Sequence, residues 1–224
     1  MRIGLLFPSE TERDPILDEV EIIKEENIAG LNFLTANYLD HELIIVVSGV
    51  CKVNAAISSQ LLINTFKVDS IINIGVCGGL DMETKLFEVI VSEKVYYHDV
   101  MDPILTEEYP FLEEPHFKSD DMLLSLMKDL AKKDPNIKIG PTICGEQFIT
   151  DKERDGLVSQ YNAYGVDMET GAVAHVCYVF KIPFIAIRSV TDDASHSGID
   201  FFRENVKKAS ELAVSATLDL LKLI

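Results

Sequence analysis

Three acidic side chains follow apolar segments in three separate parts of the chain, and their type suits acid–base chemistry. Glu12 lies in a polar loop after the first apolar run, Glu169 starts a helical pattern, and Asp192 comes just past an apolar strand pattern. Taken singly, each also fits an ordinary role as a surface acid, a helix-start acid or a turn residue. Different surroundings would move their pKa values apart and divide the roles of acid and base among them.

The three carboxylates together match the needs of one reaction type, the cleavage of a glycosidic bond. That reaction needs an acid for the leaving group, a base for water and negative charge near a cation-like sugar. Ligands of α/β proteins bind where strands end and loops begin, and these acids are predicted to lie at such places. Spacing along the chain does not by itself bring them together in space.

A glycine-rich segment, G-V-C-G-G at residues 75–79, follows another apolar strand pattern. It lacks the G-x-G-x-x-G spacing of a dinucleotide site and the G-K-[ST] ending of a phosphate-binding loop, so it is not a nucleotide-cofactor signature. Glycines allow a backbone to approach a ligand closely. The same segment also fits a tight turn at the end of a strand.

The composition excludes several classes of protein. The chain has 224 residues, with 37 Asp and Glu against 20 Lys and Arg, which gives a net charge of −17. This acidic balance argues against a nucleic-acid coat or a binder of anionic membranes, because both need a basic surface. The length fits one domain, residues 1–224. No apolar run approaches the roughly 18 residues of a membrane span, and the N-terminal run is too short for a signal peptide.

The cysteines and histidines indicate neither a disulfide framework nor a zinc site. The chain has four cysteines and five histidines, but no C-x-x-C or H-x-x-x-H spacing occurs. We therefore predict reduced, mostly buried thiols and a cytoplasmic protein. No metal and no organic cofactor is implied.

Hydrophobic periodicity predicts alternating strands and helices, and hence an α/β fold with a mostly parallel sheet in one domain. The predicted strands are residues 2–7, 31–38, 42–47, 70–74, 87–97, 137–144, 163–166 and 183–190. The predicted helices are residues 15–25, 52–65, 120–132, 150–160, 169–180 and a last helix from about 201. Residues 99–118 hold three prolines and form an irregular loop or a lid in this interpretation.

Seven short motifs follow one another along the chain: M-R-I-G-L-L with Glu12 downstream, S-G-V-C-K-V-N-A-A (48–56), I-I-N-I-G-V-C-G-G (71–79), Y-H-D (97–99), G-E-Q-F-I (145–149), V-D-M-E-T-G-A (166–172) and R-S-V-T-D-D (188–193). Together they resemble the nucleoside phosphorylase superfamily, most of all the branch that hydrolyses 5′-methylthioadenosine and S-adenosylhomocysteine. Each is weak alone, but the ordered set covers nearly the whole chain. The resemblance implies one nucleoside phosphorylase-like domain with a twisted, mixed central sheet flanked by helices, and a homodimer.

The resemblance also implies catalytic roles. Asp192 matches the general acid that protonates adenine N7, with Thr191 where Ser is usual. Glu12 matches the residue that activates water, and Glu169 the ligand of the ribose hydroxyls. Arg188 matches a residue that helps to hold the water site and Glu169. Acid–base steps of this kind are each worth about 10²–10⁴-fold in rate.

Further positions match substrate contacts of the family. Phe148 matches the ring that stacks on adenine, Ile149 the backbone partner of the base edge, and Met168 a residue packed on the ribose. The other predicted substrate contacts are Ser9, Val50, Val76, Cys77 and Gly78. Four positions depart from the family pattern and lie around the water site or the 5′-group: Val76 for Ser, Cys77 for Ala, Ser9 for Met, and Ile199 for an aromatic residue. The 5′-substituent is therefore less well defined than the adenine–ribose bond, and 5′-deoxyadenosine is a further candidate substrate.

The first loop favours hydrolysis over phosphorolysis. Glu12 would repel phosphate and suits water, although Arg13 would supply a phosphate contact if it turned inward. A phosphate-dependent purine nucleoside phosphorylase is the main alternative, and a non-catalytic nucleoside sensor is the third reading. The expected partner is a small nucleoside, with no nucleic acid and no membrane. Apolar residues 53–61 are the predicted dimer contact.

Overall fold

The computed structural model describes residues 1–149, 151–192 and 198–224. The strands are β1 (Arg2–Phe7), β2 (Glu21–Ile28), β3 (Leu31–Tyr38), β4 (His41–Val47), β5 (Ser70–Gly79), β6 (Val89–Tyr97), β7 (Phe117–Lys118), β8 (Ile137–Cys144), β9 (Gly165–Asp167) and β10 (Phe184–Asp192). The helices are α1 (Glu10–Leu17), α2 (Lys52–Asn64), α3 (Asp102–Glu107), α4 (Asp121–Ala131), α5 (Asp151–Tyr161), α6 (Thr170–Phe180) and α7 (Ile199–Leu221). The predicted α/β class, a mixed central sheet flanked by helices, is confirmed. The expectation of a mostly parallel sheet is wrong, since five of the ten strand pairings in the described residues are antiparallel.

The ten strands form one mixed sheet in the order β10-β6-β8-β9-β5-β1-β4-β3-β2, with β7 added to β6. Strand β1 runs parallel to β4 and β5, and β5 runs parallel to β10. Because β10 pairs with both β5 and β6, the strands β10, β6, β8, β9 and β5 close into a ring. The carboxyl ends of β1, β5 and β10 therefore lie at the same edge, where a ligand site is expected.

Side chains that alternate along the strands fill two layers of core on opposite faces of the sheet. In β1, Ile3, Leu5 and Phe7 pack into one buried cluster with α7, while Leu6 packs into the other. Helix α7 buries Ala209, Ala213, Ala216 and Leu220 at the predicted helical spacing. Of the helices in the described ranges, none is long and apolar enough to cross a membrane.

Two predicted elements differ from the structure. The helix predicted at residues 15–25 is wrong: α1 starts earlier, at Glu10, because Ser9 caps it, and residues 21–28 form the edge strand β2. Pairing with β3 overrides the helical preference of the Glu and Lys residues in β2. Residues 99–118, predicted as irregular, contain α3 and β7. Residue 150, the first of the helix predicted at residues 150–160, lies outside the described residues.

Candidate active site

A cavity of about 330 Å³ opens at the carboxyl ends of β5 and β10. It brings together most of the residues predicted from sequence to act on a ligand. Those that line it are Glu12, Val50, Val76, Cys77, Gly78, Phe148, Ile149, Met168, Glu169, Thr191 and Asp192. Ser9 and Arg188 instead support the wall through contacts with the acidic residues. The wall also includes Pro8, Gln147, Arg154, Val166, Asp167, Ile199 and Phe202.

Glu12 is held in place by two donors. Ser9 caps α1, and its hydroxyl lies 2.5 Å from Oε2 of Glu12. The backbone N–H of Val76 donates to Oε1 of Glu12 at 3.0 Å. The side chain is buried, and burial raises its pKa above the usual value, although the nearby Arg188 guanidinium opposes that shift. A fixed carboxylate whose affinity for a proton is raised suits a general base.

Arg188 is fully buried on β10 and joins several acidic and polar groups. Its Nε lies 3.2 Å from Oδ2 of Asp167, and its Nη2 lies 3.6 Å from Oε2 of Glu169. Asn73 accepts a hydrogen bond from Nη2 at 2.6 Å, and Thr170 accepts one from Nη2 at 3.0 Å. Burial alone would lower the pKa of Arg188, but the surrounding carboxylates outweigh burial and raise it. The positive charge of the guanidinium offsets the electrostatic repulsion among the buried carboxylates around it.

Glu169 lies at the start of α6 and faces the cavity. The backbone N–H of Cys51 donates to its Oε1 at 2.9 Å, which ties the start of α2 to the site. Burial raises the pKa of Glu169 to about 7, with Arg188 opposing the shift and Asp167 adding to it. Near neutral pH the protonated and ionised forms of this carboxyl group are therefore similarly populated.

The raised pKa of Glu169 predicts a pH dependence of stability. A folded-state pKa above the usual value favours folding below pH 4.5, and that contribution is lost as pH rises through about 7. We therefore expect the unfolding free energy of Glu169→Gln, relative to the wild type, to increase from about pH 5 to about pH 8. Urea titrations across this range measure the difference, with the exposed Glu204→Gln as the control. A difference that does not change with pH would contradict the shift.

Asp192 ends β10 and is buried in the cavity wall. The hydroxyl of Thr191 lies 2.9 Å from its Oδ1 and 3.2 Å from the carbonyl oxygen of Cys77. Thr191 thus offers the hydroxyl that Ser would offer at the same position. A Cβ atom at Gly78 would lie 3.3 Å from Oδ2, so the glycine leaves little spare room beside the acid. Asp193, the second acid of the pair, lies outside the described residues.

Gly75 on β5 allows Glu12 from α1 and Arg188 from β10 to approach each other closely. A Cβ atom at this position would lie 2.5 Å from Oε1 of Glu12 and 2.6 Å from Nη1 of Arg188. Strand β5 continues through the whole glycine segment, so the turn considered at residues 75–79 is not formed. The glycine is needed for the close approach of charged side chains rather than for a turn.

We expect Gly75→Ala to displace Glu12 or Arg188, with a loss of about 1–3 kcal/mol in unfolding free energy and a marked loss of activity. Gly156→Ala on α5 is the matched control, since a Cβ atom there meets nothing within 4 Å. It removes a helical glycine and should leave stability unchanged or slightly higher. Chemical denaturation of both variants measures the effect. Equal stability for the two would contradict the role given to Gly75.

The opposite wall of the cavity is aromatic and apolar. Phe148 is 40% exposed, and its ring lies 6.5 Å from that of Phe202, edge to face at 88°. Ile199 lines the cavity at the position where the family pattern has an aromatic residue. Phe202, one turn further along α7, places an aromatic ring in the same wall. This wall suits the flat face of a base.

Several functional residues were not singled out from the sequence. Asp167, Thr170 and Asn73 lie within the quoted motifs, but only the fold reveals that they surround Arg188. Arg154 lies in a charged stretch of α5 that is typical of a solvated helix face, yet it is buried in the cavity wall. Within the described ranges, no group of three or more His, Cys, Asp and Glu side chains could hold a metal ion.

The comparison with known proteins agrees with this geometry. A family model described as the phosphorylase superfamily matches residues 2–222. The chain belongs to the phosphorylase superfamily. Within this superfamily, it is 32% identical over 231 residues to a 5′-methylthioadenosine/S-adenosylhomocysteine nucleosidase from Bacillus thuringiensis, which covers 99% of this chain and 100% of the relative.

Two solved structures resemble the fold over nearly its full length. A 5′-methylthioadenosine/S-adenosylhomocysteine nucleosidase from Streptococcus pneumoniae, with the transition-state inhibitor MT-ImmA, has a TM-score of 0.90 at 25% identity, over 99% of each chain. A futalosine hydrolase from Helicobacter pylori has a TM-score of 0.89 at 25% identity, over 100% of this chain and 98% of the other. A nucleosidase and a futalosine hydrolase therefore share this fold at the same level of sequence identity.

Proposed function

We propose that the protein hydrolyses the N-glycosidic bond of 5′-modified adenosines and releases adenine and a 5′-substituted ribose. Candidate substrates are 5′-methylthioadenosine, S-adenosylhomocysteine and 5′-deoxyadenosine. The observation that carries the proposal is the meeting of three buried carboxylates, Glu12, Glu169 and Asp192, in one cavity with an aromatic wall. The names of two similar proteins, from Bacillus thuringiensis and Streptococcus pneumoniae, agree with it.

The proposed mechanism gives each acid a separate role. Asp192 donates a proton to N7 of adenine, so the base leaves as a neutral molecule when the C1′–N9 bond breaks. The sugar becomes cation-like, and Glu169 binds its hydroxyl groups and offsets the developing charge. Glu12 takes a proton from the water that attacks C1′. Arg188 acts as a positioning residue that holds Glu169 and balances the charge behind the water site.

The remaining predicted contacts orient the nucleoside. Phe148 stacks on the base, and Ile149 offers its backbone to the base edge. Met168 packs on the ribose, while Val76, Cys77 and Gly78 form the floor on β5. Val50 lies 48% exposed at the mouth, where a 5′-substituent would leave the cavity.

Hydrolysis is favoured over phosphorolysis by the charges at the start of α1, the segment expected from sequence to be a loop. Glu12 occupies the place where phosphate would need a cation. Arg13, which would supply one if it turned inward, is paired with Asp14 at 2.6 Å. Among the described residues that line the cavity, Arg154 is the only cation, and it lies beside Asp192 rather than Glu12.

One assay separates the candidate functions. The protein is incubated with 5′-methylthioadenosine, adenosine and inosine, with and without phosphate, and release of the base is followed. We expect release of adenine from 5′-methylthioadenosine at the same rate with and without phosphate. Release that requires phosphate would overturn the hydrolase assignment in favour of a phosphorylase. Release from none of the nucleosides would instead favour a sensor.

We further propose that the protein is a cytoplasmic homodimer that pairs through α2 and α6. These helices pack together and leave large apolar side chains exposed. The exposed group includes Val53 at 68%, Ile57 at 45%, Tyr178 at 47% and Phe180 at 39%. The face continues toward the cavity mouth at Val50, which precedes α2. A second copy of the chain would bury this apolar area, and the four free thiols suit a reducing compartment.

Val53→Asp should weaken the dimer because it buries an unpaired charge at the proposed interface. We expect the dissociation constant to rise on the order of 10²-fold or more. Light scattering after gel filtration over a range of concentrations measures the change. Leu39→Asp, at an exposed turn outside α2 and α6, is the control. A wild-type monomer, or an unaltered dimer in Val53→Asp, would contradict this interface.

A further inference from the structure

Asp99 belongs to the Y-H-D motif, to which the proposed function gives no role, and its carboxylate accepts three hydrogen bonds. Nζ of Lys52 donates to Oδ1 and to Oδ2 of Asp99, each at 2.8 Å, and the backbone N–H of Glu146 donates to Oδ2 at 2.9 Å. The carboxylate of Glu146 in turn accepts from the backbone N–H of Lys52 at 3.1 Å. The three residues form a closed ring of hydrogen bonds, which we call the Lys52–Asp99–Glu146 ring.

The ring joins three segments that are distant in the sequence. Lys52 is the first residue of α2, Asp99 lies two residues past the end of β6, and Glu146 lies two residues past the end of β8. The residue before Lys52 also holds an acid, since the backbone N–H of Cys51 donates to Oε1 of Glu169 at 2.9 Å. Two consecutive N–H groups at the start of α2 therefore bind the carboxylates of Glu169 and Glu146.

The Lys52–Asp99 pair differs from an ordinary surface ion pair, which contributes little to stability. The two side chains are 20% and 26% exposed, against 47% and 39% for Lys128 and Glu93, whose charged atoms lie 2.9 Å apart. Nζ of Lys52 also lies 4.9 Å from the centroid of the Tyr97 ring. Burial alone would raise the pKa of Asp99, but the hydrogen bonds that it accepts outweigh burial and lower it. The ring is therefore held by charge-assisted hydrogen bonds.

The ring lies at the start of the segment that carries the proposed contacts of the base. Residues 147–149, which follow Glu146, line the cavity and include Phe148 and Ile149. Strand β8 ends at Cys144, so no ladder of strand hydrogen bonds continues into these residues. The backbone of such a segment depends on contacts with its neighbours. The hydrogen bond from Glu146 to Asp99 is one of these contacts and fixes where the segment leaves the sheet.

We infer that Lys52 and Asp99 are positioning residues that hold residues 146–149 in the conformation that binds the base, and that they act on affinity more than on the chemical step. The inference rests on the proposed function, because it takes Phe148 and Ile149 as contacts of the base. A segment ordered before binding does not pay the entropy of ordering when the ligand arrives. The base meets the same wall before and during bond cleavage, so breaking the ring removes uniform binding.

The kinetic test breaks the ring from either side. In Asp99→Ala and in Lys52→Met, KM for 5′-methylthioadenosine should rise about 10-fold while kcat stays within about 3-fold of the wild type. The two effects should not add in the double variant, because either change opens the same ring. Glu93→Ala and Lys128→Met break the more exposed pair and are the matched controls, with an unaltered KM.

Ligands that represent one half of the substrate separate positioning of the base segment from a general loosening of the protein. In Asp99→Ala, the Kd of adenine measured by calorimetry should rise about 10-fold. The inhibition constant of 5-methylthioribose should change less than about 2-fold, because the sugar meets Glu169 and Met168 in the proposed mechanism. Equal weakening of both ligands would mean that Asp99 acts only on overall stability, and it would overturn the inference.

Asp99→Asn keeps the inference testable if Asp99→Ala does not fold. Its amide oxygen still accepts from the N–H of Glu146, but the charge that pairs with Lys52 is lost, so the Kd of adenine should rise by a smaller factor of about 3. An unchanged KM and an unchanged Kd of adenine in the Asp99 and Lys52 variants would overturn the inference and leave the proposed function standing. A wild type that neither binds adenine nor releases it from 5′-methylthioadenosine would overturn the proposed function as well.

Discussion

Asp192→Asn is expected to lower kcat on 5′-methylthioadenosine by about 10²–10⁴-fold and to change the dissociation constant only a few-fold. Asparagine has the same shape as aspartate and still accepts the hydrogen bond that Thr191 makes at 2.9 Å. It carries no proton that can pass to N7, so adenine would have to leave as an anion. The loss should therefore appear in the chemical step and not in binding.

Single-turnover kinetics and calorimetric titration separate these two effects. A 4-nitrophenyl riboside gives a sharper control, because its leaving group, 4-nitrophenolate, departs without protonation. Asp192→Asn should still cleave this substrate. Asp200→Asn removes a carboxylate at an exposed position on α7 and should retain wild-type rates. Full activity of Asp192→Asn on 5′-methylthioadenosine would mean that Asp192 is not the acid.

Glu12→Gln is expected to produce a loss in kcat of similar size, about 10²–10⁴-fold, through the nucleophile and not through the leaving group. In the wild type the N–H of Val76 donates to Oε1 of Glu12 at 3.0 Å, and the amide oxygen of glutamine can accept the same hydrogen bond. An amide does not, however, take up the proton that water loses. Substrate binding should change little, since the side chain contacts water in the proposed mechanism.

The stability of Glu12→Gln distinguishes loss of a base from loss of structure. Burial raises the pKa of Glu12, which means that its ionised form is disfavoured in the folded protein. At a pH above the usual carboxyl range, the neutral amide should therefore be at least as stable as the wild type. Denaturation at about pH 8 measures this. A variant that unfolds more easily than the wild type at that pH, or one that keeps its kcat, would contradict the role of Glu12.

The sequence predicted the strands that carry the site because their patterns are local. β5 and β10 are almost entirely buried, and the start of β5 and both ends of β10 lie within two residues of the predicted bounds. The end of β5 is wrong, because the strand continues past the predicted residue 74 to Gly79. The edge strand β2 was missed, because E-I-I-K-E-E-N-I contains helix formers and only its partner β3 fixes it as a strand. Local preference decides little at an edge where most side chains face solvent.

The catalytic acids could be suggested from sequence, but their surroundings could not. Glu12 and Asp192 lie 180 positions apart, and only the sheet order brings both to one cavity. Nothing in the pattern D-K-E-R-D distinguishes the buried Arg154 from Glu153 and Asp155, which are exposed. The requirement at Gly75 likewise depends on two side chains that approach from α1 and β10. These features follow from tertiary packing, which spacing does not encode.

The central claim, that water attacks C1′ of a nucleoside in this cavity, is tested most directly by isotope transfer. The protein is incubated with 5′-methylthioadenosine in ¹⁸O-labelled water that contains phosphate, and the sugar product is analysed by mass spectrometry. We predict free 5′-methylthioribose that carries one ¹⁸O atom, together with unlabelled adenine. Formation of the sugar 1-phosphate, or release of a sugar without label, would contradict the account.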